Sequence, residues 1–299
     1  MNTVDELVKK GILELDVPLG PLTTYKSGGP ARLFAVVENR VDLDALVDSR
    51  LFADNDVLVL GRGSNLVVSD AGFDGLVISL GRGFGAIEIE GTTIAAGASV
   101  PLPRLARASV EAGLTGLEFF VGVPGSVGGA IRQNAGCFGV ETSDRLVDTT
   151  ILDLGNGRMR KATSIDLEHS YRHSNLAPRD LVVGARFEAG AGDVERGRAE
   201  LRRITRWRRD NQPGGTLNAG SVFKNPSGKS AGELIDNLGL KGLAVGDVSV
   251  SHKHANFFVA GAGATSADIY ELVQLVKDRV FEMSQTILEP EIQFVGFEE

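Results

Sequence analysis

Residues 120–139 read FVGVPGSVGGAIRQNAGCFG, and this stretch carries most of the fold prediction. Six of its twenty residues are glycine. An extended ligand lying along the main chain requires small residues over such a length, since any Cβ would hold the backbone away. The stretch is therefore as compatible with a diphosphate-bearing cofactor as with irregular structural packing, and the residues alone leave both interpretations open. G-x-G-x-x-G at a strand-to-helix turn, the Rossmann fingerprint, does not occur here.

A second glycine-containing loop, LGRGSNLVVSD, occupies residues 60–70. It follows a strand-helix-strand pattern, with strands predicted at 32–37 and 57–60 and a helix at 41–50 between them. Backbone N–H groups next to a hydroxyl and an amide are able to cradle a phosphate. A simple tight turn is the competing interpretation, because two glycines and a serine also suit an ordinary turn.

The composition describes a soluble globular protein rich in glycine. The 299 residues suggest two domains, or two with an added subdomain. Hydrophobic residues make up 42% and charged residues 23%, which excludes a disordered or fibrous chain. Lysine and arginine total 31 against 39 acidic residues, a net charge of −8, so general attraction to duplex nucleic acid is not expected.

The sequence predicts no intrachain disulfide, no metal site and no membrane helix. Cys137 is the single cysteine, which excludes an intrachain disulfide and a thiolate zinc site built from this chain. His252 and His254 lack an evident third ligand, so no metal is predicted. No apolar stretch approaches the roughly 18 residues of a membrane helix, and no secretory signal is evident. We expect a cytoplasmic protein with no membrane or nucleic-acid partner.

The C-terminal third has the pattern of an α+β domain. An arginine-rich helix is predicted at 194–209, and its interleaved acidic residues favour a solvated face over a nucleic-acid patch. SVFKN at 221–225 is predicted as a strand, with Ser221 and Phe223 on one face. Thr265 and Asp268 form a capping box before a helix at 266–284. Upstream, Asn156-Gly157 predicts a type I′ turn in a hairpin that begins at residue 146.

Two short segments carry side chains suited to chemistry. In YRHS (171–174), an arginine beside a tyrosine suits a carboxylate or phosphate ligand, and an ordinary surface arginine is the alternative. His169 and His173 are interpreted as solvated loop residues. In AGSVFKNP (219–226), Ser221 lacks the G-x-S-x-G elbow of a hydrolase nucleophile, which leaves hydrogen bonding or proton donation as its uses.

Taken together and in order, these motifs resemble the UDP-N-acetylenolpyruvoylglucosamine reductase (MurB) family. The resemblance begins with TTYKSGGPA from Thr23 and includes LGRGSNLVV, GLEFFVGVPGSVGGAIRQNAG and YRHS. It continues through QPGGTLNAGSVFKNP, AGELIDNLGLKG and VSHKHANF to LEPEIQFVG, so it covers nearly the whole chain. Each motif alone has moderate specificity, whereas the ordered set is highly specific. Redox chemistry enters only through this resemblance.

The resemblance implies an α+β fold with two FAD-binding subdomains of the vanillyl-alcohol-oxidase (PCMH) type, residues 1–80 and 81–193. A substrate-binding domain, residues 194–299, would follow. The implied cofactor is FAD, with NADPH as the reductant. The implied FAD-binding residues are Gly61, Gly63, Ser64, Asn65, Leu66, Gly122, Pro124, Gly125, Ser126, Gly128, Gly129, Ala130, Asn134 and Gly136.

The resemblance also implies the reaction and its catalytic residues. Hydride from N5 of FAD would add to C3 of the enolpyruvyl group of UDP-N-acetylglucosamine enolpyruvate, an intermediate of peptidoglycan precursor synthesis. Negative charge would develop on C2 and the adjoining carboxylate, where Arg172 would stabilise it and Glu291 would assist. Ser221 would then deliver the proton to C2, helped by the neighbouring cation and a water-poor site.

Substrate binding is implied for Tyr171, Arg208, Lys224, Asn225, Lys229 and His254. One departure from the family concerns Asn211, which stands where many relatives have lysine, so that a cationic contact to the substrate is either missing or supplied by Arg208 or Arg209. Arg172 and Ser221 are 221 minus 172, or 49, positions apart. This short interval indicates the branch without a long tyrosine-bearing loop (type II), and we expect a monomer.

Two other functions remain open at this level. One is an FAD-dependent sugar or hydroxy-acid oxidase of the same superfamily, although covalent flavin through a first-domain histidine is excluded because no histidine precedes His169. The other is a flavin-binding or nucleotide-binding module without catalysis. The presence of Arg172, Ser221 and Glu291 in matching motifs argues against such a module.

Overall fold

The computed structural model describes residues 3–297, which form seven α-helices and eighteen β-strands. The chain is organised as two compact units. Unit 1 comprises residues 1–15, 33–61 and 75–207, and unit 2 comprises residues 16–32, 62–74 and 208–299. Two N-terminal segments therefore belong with the C-terminal third of the chain, which the linear division at 80 and 193 does not represent. That three-part division stays a prediction.

The structure has helices near the predicted 41–50, 194–209 and 266–284, and a short one within the glycine-rich stretch that the sequence did not predict. The described helices are seven in number. They are α1 (Thr3–Lys9), α2 (Arg40–Asp48), α3 (Leu102–Glu111), α4 (Val127–Gln133), α5 (Val194–Asn211), α6 (Ala231–Asn237) and α7 (Ser266–Ser284). The predicted capping box of α7 is confirmed, since the Thr265 side chain accepts from Asp268 N–H and the Asp268 side chain accepts from Thr265 N–H. Such reciprocal bonds satisfy donors that the first helical turn leaves unpaired.

The strands of the first half are short, as the spacing of the turns predicts. They are β1 (Leu13–Pro18), β2 (Pro30–Val37), β3 (Val57–Val59), β4 (Leu66–Val68), β5 (Phe73–Leu80), β6 (Ile87–Glu90), β7 (Thr93–Gly97), β8 (Leu114–Thr115), β9 (Gly136–Cys137) and β10 (Val140–Glu141). Strands β1, β2, β5 and β3 form a four-stranded sheet in the order β1-β2-β5-β3, in which β3 and β5 are parallel. β9 and β10 form a small antiparallel hairpin, residues 136–141.

The remaining strands complete the second sheet of unit 1 and the sheets of unit 2. They are β11 (Leu146–Asp153), β12 (Arg158–Ala162), β13 (Asp180–Glu188), β14 (Gly190–Ala191), β15 (Ala244–Val245), β16 (Val248–Val250), β17 (Phe258–Ala260) and β18 (Gln293–Val295). A five-stranded sheet has the order β12-β11-β13-β7-β6, and β15-β16-β17 form a three-stranded sheet. The two-residue pair β14-β8 is antiparallel.

Unit 1 contains two hydrophobic cores. One packs the five-stranded sheet against α3, α4 and the glycine-rich stretch, with Phe120 and Phe187 in edge-to-face contact at its centre. The other surrounds α2 and the strands beside it, and it includes Leu43, Leu46 and Phe52. Burial of these aliphatic and aromatic groups, each worth about 1.5–3 kcal/mol, holds the loops between them in place.

Unit 2 has one core, in which the buried face of α7 packs with β16 and β17. The apolar stripe that includes Ile269, Val273 and Val280 is fully buried. In the same unit, β18 pairs in parallel with β4, with Phe294 opposite Val67. The last strand is thereby placed beside the strand that directly follows Ser64 and Asn65.

The predicted hairpin at 146–162 exists, but its turn differs from the prediction. β11 and β12 pair from Thr149–Ala162 to Asp153–Arg158, which leaves the four residues 154–157 in the loop. Only Gly157, at φ 71°, has a positive φ; Asn156 does not. A type I′ turn needs positive φ at both central residues, so that assignment is wrong. Gly157 N–H instead donates to Asp153 O at 2.8 Å, closing a longer turn.

The strand predicted at 221–225 is also wrong. The segment has a single bridge, between Phe223 and Pro290, and Val222 and Phe223 are both buried, so the expected alternation of faces is absent. Asn256 explains the difference. Its Oδ1 accepts from Phe223 N–H at 2.9 Å and its Nδ2 donates to Phe223 O at 2.8 Å. A side chain thus takes the bonds that a neighbouring strand would make.

Candidate active site

Arg172 lies in a four-residue turn that we call the arginine turn, residues 170–173. Ser170 N–H donates to His173 O at 3.3 Å and His173 N–H donates to Ser170 O at 3.1 Å. Arg172 is the third residue and has a φ of 54°, a conformation in which glycine is favoured. Backbone strain of this kind persists only where surrounding contacts hold it, and it is concentrated at functional sites.

Three side-chain contacts attach the arginine turn and its flanks to the C-terminal end of α4. Asn134 Nδ2 donates to Ser170 O at 3.0 Å, and Ser174 Oγ donates to Arg132 O at 2.6 Å. His169 Nε2 lies 2.8 Å from Ile131 O. The carbonyl groups at the end of a helix lack intrahelical partners, so such contacts satisfy both elements. The turn is therefore fixed to the same short helix that begins in the glycine-rich stretch.

His169 is partly buried, which corrects its interpretation as a solvated loop residue. Because Ile131 O is an acceptor, the Nε2 of His169 must carry a proton, and Nδ1 faces Ser164 Oγ at 3.3 Å. Burial lowers the pKa of His169, with a further contribution from the charge of His173. The neutral form with the proton on Nε2 satisfies both contacts.

The guanidinium of Arg172 reaches the β9-β10 hairpin. Nη2 donates to Gly136 O at 3.0 Å, and Nη1 lies 3.5 Å from Glu141 Oε1. Its Cζ stands 4.8 Å from the ring centroid of Tyr171. Unit 1 thus brings together four residues predicted from the sequence, namely Asn134, Gly136, Tyr171 and Arg172, and adds Glu141.

Ser221 and Glu291 come together in unit 2, at a place we call the serine crossing, residues 221–224 and 289–291. Glu291 N–H donates to Val222 O at 2.7 Å, and Lys224 N–H donates to Glu289 O at 2.9 Å. Backbone bonds on both sides of Phe223 therefore align the two segments. Ser221 is adjacent in sequence to the residue that binds Glu291, so the two predicted catalytic residues are neighbours across this pairing.

The serine crossing is joined to the Ser64–Asn65 loop. Asn65 Nδ2 donates to Glu291 O at 2.9 Å, and Gln293 N–H donates to Asn65 O at 2.9 Å. At Gly63, with φ 59°, a Cβ would lie 2.3 Å from Leu22 O, so this position accepts glycine alone. A predicted cofactor loop and a predicted catalytic carboxyl group are thus held in one hydrogen-bonded assembly within unit 2.

The glycines at the start of α4 test whether the structure fits FAD. At Gly128 a Cβ would lie 3.2 Å from Ala98 Cβ, so the protein itself demands a small residue there. At Gly129 the nearest atom would be Ser126 Oγ at 3.7 Å, which is ordinary contact, and its φ is compatible with any residue. Glycine in a helix costs about 1 kcal/mol relative to alanine. Since the chain does not need glycine at 129, the open space beside a helix start fits close approach of a cofactor diphosphate.

The two glycine loops approach each other within unit 1. A Cβ on Gly61 would lie 2.8 Å from Ser126 Oγ, so the hydroxyl of Ser126 occupies the space that glycine leaves. Ser126 also bridges to Pro101, and Gly125 O accepts from Leu102 N–H at 3.1 Å. The beginning of α3 therefore fixes this part of the glycine-rich stretch.

The other residues predicted to bind FAD have positions that the chain's own packing explains. A Cβ on Gly136 would lie 2.4 Å from Val140 O in the hairpin. Asn134 is fully buried and its amide bonds Glu141, Ser170 and Ser143. The remaining members are Ser64 before β4, Leu66 within β4, Gly122 at the end of a 3₁₀ turn, Pro124 after it and Ala130 within α4. Their contact with FAD stays a prediction.

The predicted substrate residues are spread over both units. Tyr171 is in unit 1 and is 43% exposed. In unit 2, Arg208 Nε donates to Gln212 Oε1 at 2.7 Å, and Lys224 Nζ lies 3.6 Å from Glu289 Oε2. Asn225 Oδ1 accepts from Ala231 N–H at 3.0 Å, at the start of α6. Lys229 is exposed in the turn before α6.

His254 is held as a neutral donor. Its Nδ1 accepts from Asn256 N–H at 3.2 Å, which places the ring proton on Nε2. Burial lowers the pKa of His254, and the charge of Lys241 lowers it further. The Nε2–H group is consequently suited to donate to an oxygen of a sugar or phosphate.

Within residues 3–297, no cluster of three or more His, Cys, Asp or Glu could hold a metal ion. Over the same residues, the helices are all too short or too polar to cross a membrane.

Sequence reasoning missed Glu141, Arg132 and Asn256. Arg132 donates to the carbonyl groups of Leu176, Ala177 and Asp180 and so anchors the segment after the arginine turn. None of the three stands in a periodic pattern, and the contacts of Glu141 with Arg172, of Asn256 with Phe223 and of Arg132 with residues 176–180 span 31 to 48 positions. The only available signal was the presence of charged or amide groups inside glycine-rich or buried segments.

Comparison with known proteins gives family matches for both halves of the chain. Residues 31–163 match the family described as FAD binding domain. Residues 212–295 match the family described as UDP-N-acetylenolpyruvoylglucosamine reductase, C-terminal domain. The first match confirms FAD as the predicted cofactor.

Individual relatives match over nearly the full length. A UDP-N-acetylenolpyruvoylglucosamine reductase of Azorhizobium caulinodans is 42% identical over 288 residues, 96% of this chain and 92% of the relative. That of Methylorubrum populi is 44% identical over 291 residues, 97% and 93% of the two chains. The crystal structure of the enzyme from Thermus caldophilus superposes with a TM-score of 0.81 at 36% identity, covering 95% of this chain and 98% of that one. The predicted α+β fold is thereby confirmed.

Proposed function

The chain belongs to the UDP-N-acetylenolpyruvoylglucosamine reductase family, and from that premise we propose that it reduces UDP-N-acetylglucosamine enolpyruvate to UDP-N-acetylmuramate with NADPH as the reductant. The family resemblance predicted from the motifs is confirmed. So are the enzyme class, an FAD-dependent oxidoreductase, and its place in peptidoglycan precursor synthesis. The reductant, the atoms that react and the residues that act on them belong to the proposal.

The observation that supports the proposal most directly is the serine crossing. The bond from Glu291 N–H to Val222 O brings a hydroxyl-bearing residue and a carboxyl-bearing residue side by side, although 291 minus 221, or 70, positions separate them in sequence. A proton donor paired with a carboxyl group is what addition of a proton to C2 requires. Ser221 and Glu291 are half-buried, whereas Val222 and Phe223 between them fill the core.

When bound, FAD supplies the hydride, from N5 to C3 of the enolpyruvyl group. Ser221 donates the proton to C2, and Arg172 stabilises the negative charge that develops on C2 and the substrate carboxylate. Glu291 assists as the carboxyl group beside Ser221. A positioned cation acting in a water-poor site is worth far more than in water, since the interaction is less screened.

The nucleotide sugar is bound by residues of unit 2. His254 offers Nε2–H to a sugar or phosphate oxygen, and Asn225 offers its amide from the start of α6, where the bond from Ala231 N–H to its Oδ1 orients the side chain. Lys224, Lys229 and Arg208 supply positive charge for the diphosphate, and Tyr171 of unit 1 completes the set. Asn211 stands where many members of the family have lysine, so that cation is either missing here or replaced by Arg208 or Arg209.

An anaerobic two-step experiment tests the proposal. NADPH is added to the purified FAD-loaded protein, and the flavin absorbance near about 450 nm is expected to fall. UDP-N-acetylglucosamine enolpyruvate is then expected to restore the absorbance, and its product should contain two additional hydrogens by mass spectrometry. UDP-N-acetylglucosamine, which lacks the enolpyruvyl group, is the matched control and should restore nothing.

Each contrary outcome identifies another function. Failure of NADPH to bleach the flavin, with or without the sugar nucleotide, would favour a binding module. Bleaching by a sugar or hydroxy acid, with reoxidation by oxygen and none by the enolpyruvyl compound, would favour an oxidase of the same superfamily. The cytoplasmic location, the monomeric state and the type II branch are parts of this proposal that other measurements test, beginning with the mass in solution.

A further inference from the structure

The guanidinium of Arg172 has to be held from outside the arginine turn. With φ at 54°, the backbone of Arg172 is in a conformation that side-chain-bearing residues rarely adopt. A long flexible side chain on such a turn has many rotamers, and each must be excluded for the charge to act at one place. The side chain of Arg172 is nevertheless only 16% exposed. The groups that surround it therefore decide where its charge lies.

Two of these groups belong to the β9-β10 hairpin. Gly136 O accepts from Nη2 at 3.0 Å, and Glu141 Oε1 stands 3.5 Å from Nη1. Gly136 and Glu141 are directly paired across the hairpin, so both contact the guanidinium from the same pair of strands. A backbone carbonyl fixes one nitrogen, and the carboxylate fixes the other.

Glu141 divides its two oxygens between different partners. Oε2 accepts from Asn134 Nδ2 at 2.8 Å, while Oε1 faces Arg172. The same Asn134 nitrogen donates to Ser170 O at 3.0 Å, at the start of the arginine turn. Glu141 is itself restrained, because its backbone N–H donates to Asp144 Oδ2 at 2.8 Å. One carboxylate thus contacts the side chain of Arg172 and, through Asn134, the backbone that carries it.

We propose that Glu141 is a positioning residue for Arg172 and sets the place at which the guanidinium meets the developing negative charge of the substrate. The inference rests on the proposed role of Arg172. The partners of the Glu141 carboxylate are all donors, namely Arg172, Asn134 and the Asp144 N–H of a capping box, so position 141 needs two acceptor oxygens. A carboxylate supplies two, whereas an amide supplies one acceptor and turns a donor toward another donor. Glutamine at 141, although of equal size, therefore leaves one of these donors without an acceptor.

Glu141→Gln is the primary test. We expect reoxidation of the flavin by the enolpyruvyl sugar nucleotide to slow roughly 10- to 100-fold, the loss that small misplacements of a reacting group produce. Bleaching by NADPH, FAD content and thermal midpoint should stay near those of the parent protein, since none of them requires the guanidinium at that place. Glu111→Gln is the matched control, because it breaks an exposed pair with Arg198 in the same unit and should change neither half-reaction.

A double-mutant cycle separates positioning from a general structural role. In the Arg172→Ala background, Glu141→Gln is expected to slow reoxidation by less than about twofold, because there is no guanidinium left to position. If Glu141→Gln slows the Arg172→Ala protein as much as it slows the parent, the positioning role is overturned. It is also overturned if Arg172→Ala slows reoxidation and Glu141→Gln does not.

The same cycle distinguishes this inference from the proposed function. Normal reoxidation in Arg172→Ala would refute the catalytic role of Arg172 itself, whatever position 141 does. Should Glu141→Gln lose FAD or unfold, Glu141→Asp provides the second variant, since it keeps both acceptors and shortens the side chain by one methylene. Glu141→Asp is expected to reoxidise at least several-fold faster than Glu141→Gln. Equal rates in the two folded variants, or no recovery where Glu141→Gln is unfolded, would count against positioning.

Discussion

The arginine turn and the serine crossing carry the proposed catalytic groups, and the protein holds them by opposite means. In the arginine turn, the attachments to the rest of unit 1 are made by side chains, among them Asn134, His169 and Ser174. In the serine crossing, the aligned segments are joined by backbone N–H and C=O groups. Geometry that depends on side chains is vulnerable to substitution at residues that never touch the substrate, whereas geometry that depends on the backbone is not.

Two side chains depart from this contrast, since Asn65 Nδ2 donates to Glu291 O, and the larger contribution comes from Asn256. The side-chain amide of Asn256 hydrogen-bonds both the N–H and the C=O of Phe223, so the serine crossing also depends on this buried side chain. That amide makes the hydrogen bonds to Phe223 that a neighbouring strand would otherwise make. The arginine turn, by contrast, distributes its attachment over several side chains.

The largest expected change in rate follows from replacement of Ser221, because its side chain can be removed without disturbing the backbone around it. Ser221→Ala should slow reoxidation by the enolpyruvyl substrate about 100-fold or more, the scale of general acid catalysis, while bleaching by NADPH stays near normal. Stopped-flow absorbance measures both steps. Ser249→Ala, in β16 of the same unit, is the control. Turnover at the parent rate in Ser221→Ala would remove the serine from its role.

Asn256→Ala tests the larger of these two side-chain contributions. The variant leaves the N–H and C=O of Phe223 without the amide that binds them, at a place where Asn256 is 3% exposed and Phe223 is 1% exposed. Leaving buried polar groups unpaired costs about 2–3 kcal/mol in the free energy of unfolding. Urea denaturation measures the change. A loss below about 0.5 kcal/mol, the range of ordinary surface substitutions, would show that the crossing is held without the Asn256 amide.

Gly129→Ala separates two roles of α4, which holds the arginine turn at one end and has an open glycine at the other. The added methyl group meets nothing closer than Ser126 Oγ at 3.7 Å, so stability without cofactor should be unchanged or higher by up to about 1 kcal/mol. FAD affinity, measured by fluorescence titration, should fall roughly tenfold or more, equivalent to about 1.4 kcal/mol. Gly214→Ala, also in open space, is the control. Unchanged affinity would place the cofactor away from Gly129.

The smallest effect concerns the pH dependence of the arginine turn. The pKa of His169 is lowered in the folded protein by burial, so the unfolded chain binds the proton first as pH falls. Stability should therefore decrease as pH falls below about 6.5, the ordinary histidine value, toward the lowered folded value. His169→Gln should reduce the slope of the thermal midpoint against pH in that range. His252→Gln, which removes an exposed histidine of unit 2, is the control, and equal slopes in the parent and His169→Gln would contradict the assignment.

Local sequence patterns predicted the helices well because their signals lie within the element. The stripe of α7 and its Thr265–Asp268 capping box are set by residues three or four positions apart. The hairpin at 146–162 was located for the same reason. Its turn type was not, because Asn156-Gly157 also suits the longer loop that the pairing of Asp153 with Arg158 requires.

The errors and omissions have a different origin, since they arise from interactions between distant positions. The strand predicted at 221–225 is absent because an amide 33 positions away satisfies Phe223. Glu141 could not be linked to Arg172, since the pair is 31 positions apart and no periodicity connects them. The resemblance to the family named Arg172, Ser221 and Glu291, whereas only the structure could show what holds them.

The parallel pairing of β18 with β4 also bears on how the protein is made. Phe294 pairs with Val67, 294 minus 67, or 227, positions earlier. Pairing across such a sequence separation slows folding, because the intervening chain must be ordered first. Every segment of unit 1 has left the ribosome once residue 207 has emerged. Residues 16–32 and 62–74 belong to unit 2, which is complete only when the final third of the chain has been made. During synthesis, unit 1 with its glycine-rich stretch is therefore complete first, and unit 2 with Ser221 is assembled last.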